Sequence, residues 1–237
     1  MKSVLLTRSQ ADNYDIIRAL EDNDIKCNFN YISSPLVKPK NLRISSNILR
    51  DYHNIIVTSK FATKILVTWS AKQSSLVNNP IIKKNIWVVG NSSKLILEQN
   101  NFIIKYVAEN VEDLIRDLPQ EIYHQTIYLS SNEITQELPK QIDRKIIYEI
   151  TYANKLQKIK ELEQGVDYIL LYSQNSARTL IELLIQYNLL AILSNCLIIT
   201  ISKKVADIIR SFTKNVVYCY SGKTNQMLEL LIRDAKI

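Results

Sequence analysis

Short β-branched runs alternate with amphipathic helical patterns along nearly the whole chain. Of all the features in its 237 residues, this alternation constrains the fold most. Residues 4–7 read as a strand. Residues 11–23 read as a helix with Ser9 as N-cap and Asp12 three positions on, a capping-box pattern. A strand is expected around 27–32. A second series places strands over 54–58, 86–89, 103–107, 126–130 and 145–149, separated by helices over 60–69, 92–99, 111–118 and 134–142. A third series places helices over 156–164, 177–187, 205–212 and 225–236, with strands over 167–172, 197–201 and 216–220. Strands this short, separated by helices, predict parallel sheets covered on both faces.

Counting the strands gives the domain organisation. The middle series supplies five, and the first and third together supply another five. Between the first two series lies Ser33-Ser34-Pro35-Leu36-Val37-Lys38-Pro39, where two prolines favour extended chain. The expected fold class is α/β, with two parallel-sheet domains and the second inserted in the first. The expected boundaries are 1–33 with 155–237 for one domain and 41–148 for the other, with 34–40 and 149–154 as linkers. An internal echo points to duplication: Val57-Thr58-Ser59-Lys60-Phe61-Ala62 is similar to Leu171-Tyr172-Ser173-Gln174-Asn175-Ser176-Ala177.

Composition excludes several classes. With 46% apolar and 22% charged residues, the chain has enough core-forming side chains to fold and is not intrinsically disordered. Three glycines and five prolines exclude collagen-like and linker-like repeats. No run reaches the roughly 18 apolar residues of a membrane span, and the first eight residues are charged too early for a signal peptide. Cys27, Cys196 and Cys219 are widely spaced and odd in number, so reduced, buried thiols and a cytoplasmic location are expected. The net charge of +7 points to an anionic partner. The lysines are scattered, however, and no basic stripe of the kind that binds nucleic acid stands out. GxGxxG, P-loop and GxSxG motifs are all absent. His53 and His124 show no triad-like spacing and read as surface or structural residues. No metal site is expected.

The chemistry is therefore expected at the strand ends. In open α/β sheets, ligands bind beyond the carboxyl ends of the strands. Those ends carry Thr7-Arg8-Ser9, Thr58-Ser59, Gly90-Asn91-Ser92-Ser93, Ser130-Ser131-Asn132, Ser173-Gln174-Asn175-Ser176 and Ser202-Lys203. Each would suit simple helix capping. Together they offer many helix N-termini to an anion. One terminus is worth about 0.3–1 kcal/mol when exposed, and a micromolar ligand needs about 8 kcal/mol. A large ligand with many carboxylates or phosphates therefore fits better than one small anion. The candidate binding residues are Arg8, Thr58, Ser59, Asn91, Ser93, Ser131, Ser173, Asn175, Ser202 and Lys203. Tyr148 is the candidate catalytic residue, expected at the end of the fifth strand of the middle series and facing an interdomain cleft. Its bland alternative is an amphipathic interface residue.

These segments taken in order resemble the uroporphyrinogen-III synthase family along the whole chain. The resemblance is carried by Leu5-Leu6-Thr7-Arg8, Pro35-Leu36, Ile55 to Ala62, Val88 to Ser93, Ile147-Tyr148 and Leu170 to Ala177. It implies two α/β domains joined by a two-stranded linker. It also implies a lyase of haem biosynthesis that needs no cofactor. The implied substrate is hydroxymethylbilane, a linear tetrapyrrole with an acetate and a propionate on each ring. Loss of its hydroxyl would give an azafulvene, which would attack the substituted carbon of ring D, pass through a spiro intermediate and close with ring D inverted. By resemblance, Tyr148 assists loss of hydroxide, and Arg8, Thr58, Ser59, Ser93, Ser173 and Ser202 line the cleft. Departures from the family pattern fall at Ser131 and Thr135, where Gly and Arg are usual, at Ile150, and at Lys203-Lys204-Val205-Ala206. The expected partner is the small-molecule substrate, with no nucleic acid and no membrane, for a monomer that contacts the preceding pathway enzyme transiently. The alternative is a non-catalytic two-domain binding protein for a polyanion such as a tetrapyrrole.

Overall fold

The computed structural model describes residues 1–22, 29–73 and 79–236. In chain order the elements begin β1 (Lys2–Leu6), α1 (Gln10–Glu21), β2 (Phe29–Ser33), β3 (Val37–Asn41), β4 (Asn54–Val57), α2 (Lys60–Lys72), β5 (Asn85–Val89) and α3 (Asn91–Glu98). They continue with β6 (Ile103–Ala108), α4 (Val111–Asp117), β7 (Thr126–Ser131), β8 (Asp143–Tyr152), α5 (Ile159–Glu163), β9 (Tyr168–Leu171) and α6 (Gln174–Gln186). The last are α7 (Ile192–Asn195), β10 (Leu197–Thr200), α8 (Lys203–Ile209), β11 (Val216–Tyr218) and α9 (Thr224–Ala235). Cys27, around which a strand was expected, lies outside the described residues.

The chain divides into two compact units, Met1–Lys38 with Thr151–Ile237, and Pro39–Ile150. The first holds a five-stranded sheet in the order β11-β10-β9-β1-β2, parallel throughout. In the unit's own strand sequence this is 2-1-3-4-5, and the order reverses between β1 and β9. Side chains alternate between two apolar layers. Val4, Leu6, Leu170 and Ile199 pack on one face with Ile16 and Leu20 of α1 and Met227 and Leu231 of α9. Leu5, Ile169 and Ile198 pack on the other with Leu180 and Leu184 of α6 and Val205 and Ile209 of α8. Each such buried side chain contributes about 1.5–3 kcal/mol, so two-sided burial dominates the stability of these short strands.

The second sheet has six strands in the order β3-β8-β7-β4-β5-β6. From β6 to β8 it is parallel and reads 3-2-1-4-5, reversing between β4 and β7. One face packs α2 and α3 through Leu66 and Leu97, and the other packs α4 through Leu114. Beside β8, β3 runs the opposite way: Leu42 N–H donates to the Ile147 carbonyl and Ala153 N–H to the Leu36 carbonyl. Both passages of the chain between units run along this ladder.

Several elements differ from the expectations. The helix expected over 134–142 is absent. Only eleven residues separate β7 from β8, and a nine-residue helix at 1.5 Å per residue falls short of the roughly 20 Å needed to return along a six-residue strand. Pro139 also lacks the donor that a helix interior requires. The segment crosses in open conformation, and Ile134, Leu138 and Ile142 still cover the same face as α4. Arg144 braces this crossover, donating from Nε to Ser130 Oγ at 2.9 Å and from Nη2 to the Ser131 carbonyl at 2.9 Å. The extended stretch near Pro39 is β3 itself, at the edge of the sheet, where a proline without N–H is tolerated. The helix expected over 156–164 shrinks to α5, entered through Lys158 at φ 59°. The short α7 was not expected.

Asn13 ties the carboxyl end of β1 into unit one. It is 1% exposed, donates to the Leu6 carbonyl at 3.2 Å and Ser33 Oγ at 3.0 Å, and accepts from Arg8 N–H at 3.0 Å. Asn13→Ala strands the buried Leu6 carbonyl and two half-buried partners and is expected to cost about 1–3 kcal/mol, read as a lower urea midpoint at unchanged slope. An unchanged midpoint would refute the tie. Alkaline stability gives a second check. Tyr52 donates to Asp143 Oδ2 at 2.5 Å, and this hydrogen bond pushes its phenol from 10.0 up to about 12. A raised phenol stabilises the fold fully below its unfolded value and loses that contribution as pH climbs toward the folded value. The urea midpoint is therefore expected to fall between pH 10.0 and about 12, and Tyr52→Phe to flatten that decline. An equal slope in both proteins would count against it.

Candidate functional site

The reversal points lie between β1 and β9 in one unit and between β4 and β7 in the other, and at such points ligands bind beyond the strands' carboxyl ends. In the second unit, Ser59 caps α2 by accepting from Ala62 N–H at 3.1 Å. Its hydroxyl also shares a hydrogen bond with the Tyr148 hydroxyl at 2.8 Å. Beside it, the Thr58 and Tyr128 hydroxyls are 2.8 Å apart, joining β4 to β7. Burial raises the Tyr128 phenol above its ordinary value, and the bond to Thr58 opposes that shift.

A bulge places Tyr148. The register of β7 against β8 shifts between Ser130 and Ser131, so Ser130 pairs with Ile146 and Ser131 with Tyr148. Ile147 and Tyr148 consequently enter the same apolar layer, the re-aiming that a bulge performs. The Tyr148 ring packs against Phe61 of α2, with centroids 4.8 Å apart, and the residue is 5% exposed. One expectation is corrected here: Tyr148 lies inside β8, four residues before its end. Its ring packs in the apolar layer of its own unit, and its hydroxyl meets Ser59.

In the first unit, Arg8 follows β1. Its guanidinium lies 4.8 Å from the centroid of the Tyr172 ring and 3.5 Å from Asp12 Oδ2. Ser173 caps α6 through Ser176 N–H at 3.1 Å, and its hydroxyl is 2.8 Å from that of Ser176. Asn175 donates to the Tyr152 hydroxyl at 3.2 Å.

Other expected residues stand differently. Ser202 and Gly90 occupy N-cap positions but make no side-chain cap bond, so the amide groups opening α8 and α3 keep donors for other partners. Lys203 and Asn91 are exposed at those helix starts. Ser93 is buried. Ser131 is also buried, and its hydroxyl donates to the Glu133 carbonyl, holding the crossover instead of facing outward. His53 and His124 are exposed. Burial pushes the thiols of Cys196 and Cys219 up to about 12 and about 11.

Tyr128, Tyr172 and Arg144 stand at or beside these strand ends without being among the expected site residues. Tyr128 and Tyr172 sit in apolar strand runs, where a tyrosine reads as core. Tyr172 is marked only by its place just past the end of β9, and Tyr128, in the middle of β7, carries no such mark. Among the described residues, no three His, Cys, Asp or Glu side chains converge as a metal site, and no helix is long and apolar enough to cross a membrane. Two cavities of about 340 and 400 Å³ lie elsewhere. The first is at the amino ends of β1, β9 and β10, beside Lys2 and Tyr168, and the second is beside His124 and Pro139.

Known proteins are similar to this chain in sequence and in fold. The family described as uroporphyrinogen-III synthase HemD matches residues 26–228. A Rickettsia prowazekii (strain Madrid E) protein, named only as uncharacterized, is 40% identical over 285 aligned positions covering all of both chains. Uroporphyrinogen-III synthetase from Helicobacter pylori 26695 superposes with a TM-score of 0.59 at 15% identity over 98% of each chain. A mutant uroporphyrinogen III synthase from the extremely thermophilic bacterium Thermus thermophilus gives 0.57 at 12% identity over 100% of this chain and 99% of that one. At such identities the structures establish a shared fold, while the sequence match takes in every strand end described above except that of β1. The chain belongs to the uroporphyrinogen-III synthase family.

Proposed function

We infer that the chain closes hydroxymethylbilane into uroporphyrinogen III, with inversion of ring D and loss of water. The observation that carries this reading is the family match over residues 26–228. The strand-end geometry suits the chemistry. The substrate's acetates and propionates need donors, and Arg8, Lys203 and the uncapped starts of α3 and α8 supply them. Thr58, Ser59, Ser173 and Asn175 add neutral donors and acceptors that bind without repelling any part of a poly-acid.

Tyr148 is the proposed acid. Its proton passes to the departing hydroxyl of the substrate, which leaves as water, while the Ser59 hydroxyl donates to the phenol oxygen as that proton departs. Loss of water leaves the azafulvene as its N-protonated cation, which is reactive by itself, and the proton released as the ring closes restores the Tyr148 phenol. The larger task is to hold ring D in the attacking geometry, which is positional catalysis. We propose that Arg8, Thr58, Ser59, Asn91, Ser93, Ser173, Asn175, Ser202 and Lys203 serve that positioning. Ser131 acts indirectly, by fixing the crossover that carries β8.

Freshly prepared hydroxymethylbilane should give the type III isomer without added metal or nucleotide; recovery of only the spontaneous type I isomer would sink the reading. Tetrapyrrole binding without turnover would instead favour a non-catalytic binding protein. Tyr148→Phe should lower turnover about tenfold or less, roughly 1.4 kcal/mol in the barrier, because positioning outweighs proton donation. Abolished turnover in a folded variant would reverse that ranking.

We further propose that the protein acts as a cytoplasmic monomer, receiving its unstable substrate by transient contact with the preceding enzyme. Light scattering should return the 27.4 kDa chain mass. A dimer mass, or fractionation outside the cytoplasm, would overturn that picture.

A further inference from the structure

We propose that Tyr172 and Asp12 are positioning residues that hold the Arg8 guanidinium ready for a carboxylate of the substrate. This rests on the functional reading above and adds to it how one carboxylate is received.

The placement follows from strand register. β1 and β9 pair with Leu6 opposite Leu170, and the same offset sets Arg8 level with Tyr172, just past both carboxyl ends and at the reversal point of the sheet. Side chains at these positions fall on the face covered by α1, where Tyr172 packs beside the apolar layer. The ring meets the guanidinium at 4.8 Å, within cation–π range. Asp12 also approaches Nη2, at 3.5 Å, and is itself held by the Ser9 hydroxyl at 2.7 Å. The Arg8 backbone is fixed separately by Asn13 Oδ1 at 3.0 Å.

The arginine head is thus restrained on two flanks yet remains partly open, its side chain 35% exposed. A guanidinium carries five N–H donors in a planar fork, and Asp12 engages one nitrogen. The remaining donors fit a bidentate carboxylate, and the restraint lowers the side-chain entropy lost on binding. The Tyr172 ring, not its hydroxyl, does the positioning. That hydroxyl is buried with no hydrogen-bond partner among the described residues, and burial keeps the phenol neutral by raising it well beyond its ordinary value. An unpartnered buried hydroxyl costs stability, so Tyr172→Phe keeps the ring and leaves the fold at least as stable.

Steady-state kinetics with hydroxymethylbilane on Tyr172→Leu, Tyr172→Phe, Arg8→Met and the Arg8→Met/Tyr172→Leu double variant tests the proposal. Tyr172→Leu is expected to raise KM about fivefold with kcat changed by less than about twofold, and Tyr172→Phe, which keeps the ring, to rescue KM. The double variant is expected to match Arg8→Met alone, because the ring acts only through the arginine. An unchanged KM in Tyr172→Leu, or KM increases that multiply in the double variant, would overturn the proposal. Should Tyr172→Leu fail to fold, Asp12→Asn tests the other flank: a raised KM supports the proposal and an unchanged KM overturns it. Wild-type protein yielding only the type I isomer would sink the functional reading instead. Type III product from wild type with a flat KM series would sink this inference alone.

Discussion

Parallel strands buried on both faces leave polar chemistry only their ends. Along β1, Val4 and Leu6 enter one apolar layer while Leu5 enters the other. No interior position of that strand is available for a ligand. The first polar side chains that can reach outward follow the last buried residue, and the strand pairing decides what stands beside them. Arg8 meets Tyr172 because Leu6 pairs with Leu170. A slip of one residue would exchange the two faces of the strand and separate that pair. The hydrophobic register is therefore the positioning device for the site, and the polar residues inherit their geometry from it.

The same logic explains what could be read from the chain alone. The alternation of apolar runs located every strand of both sheets except β3, because two-sided burial writes continuous Val, Ile and Leu into the sequence. Ser9, Ser59 and Ser173 were legible as caps because a short hydroxyl before a helical pattern has one favoured local use. The crossover at 134–142 was not legible, since Ile134, Leu138 and Ile142 have helical spacing and bury one face without forming a helix. Its conformation depends on a distance, the span back along β7, and on Arg144, which belongs to the next strand. β3 was hidden for a related reason. Val-Lys-Pro-Lys-Asn is an edge strand with one neighbour, so burial leaves little pattern in it.

Within the site, strand-end positions were legible and pairings were not. Thr58 and Ser59 are adjacent in sequence, yet one bonds Tyr128 of β7 and the other Tyr148 of β8. The first pairing needs the strand order and the second needs the bulge at Ser130 and Ser131. Neither leaves a local signature. Ser131 shows the converse: by residue type and position it reads as a ligand contact, but its hydroxyl closes its own loop.

Counting protons shows why hydroxyl pairs suit this site. A tyrosine and a serine joined by one hydrogen bond hold two donor protons and use one between them. If Ser59 donates, the Tyr148 proton is left for a departing group. If Tyr148 donates, the Ser59 proton is left for an acceptor. The pair switches between these states by rotating two O–H bonds, with no change in net charge. A carboxylate or an ammonium at the same position would carry a fixed sign, attracting or repelling every carboxyl group of a poly-acid alike. In the proposed reaction, neutral pairs can change their hydrogen-bond role as the reacting end passes from alcohol to cation to closed ring. Arg8, flanked by Tyr172 and Asp12, follows β1 in the other unit and carries a fixed positive charge; in the proposed reaction that charge serves the acid groups, and the neutral pair serves the reacting end.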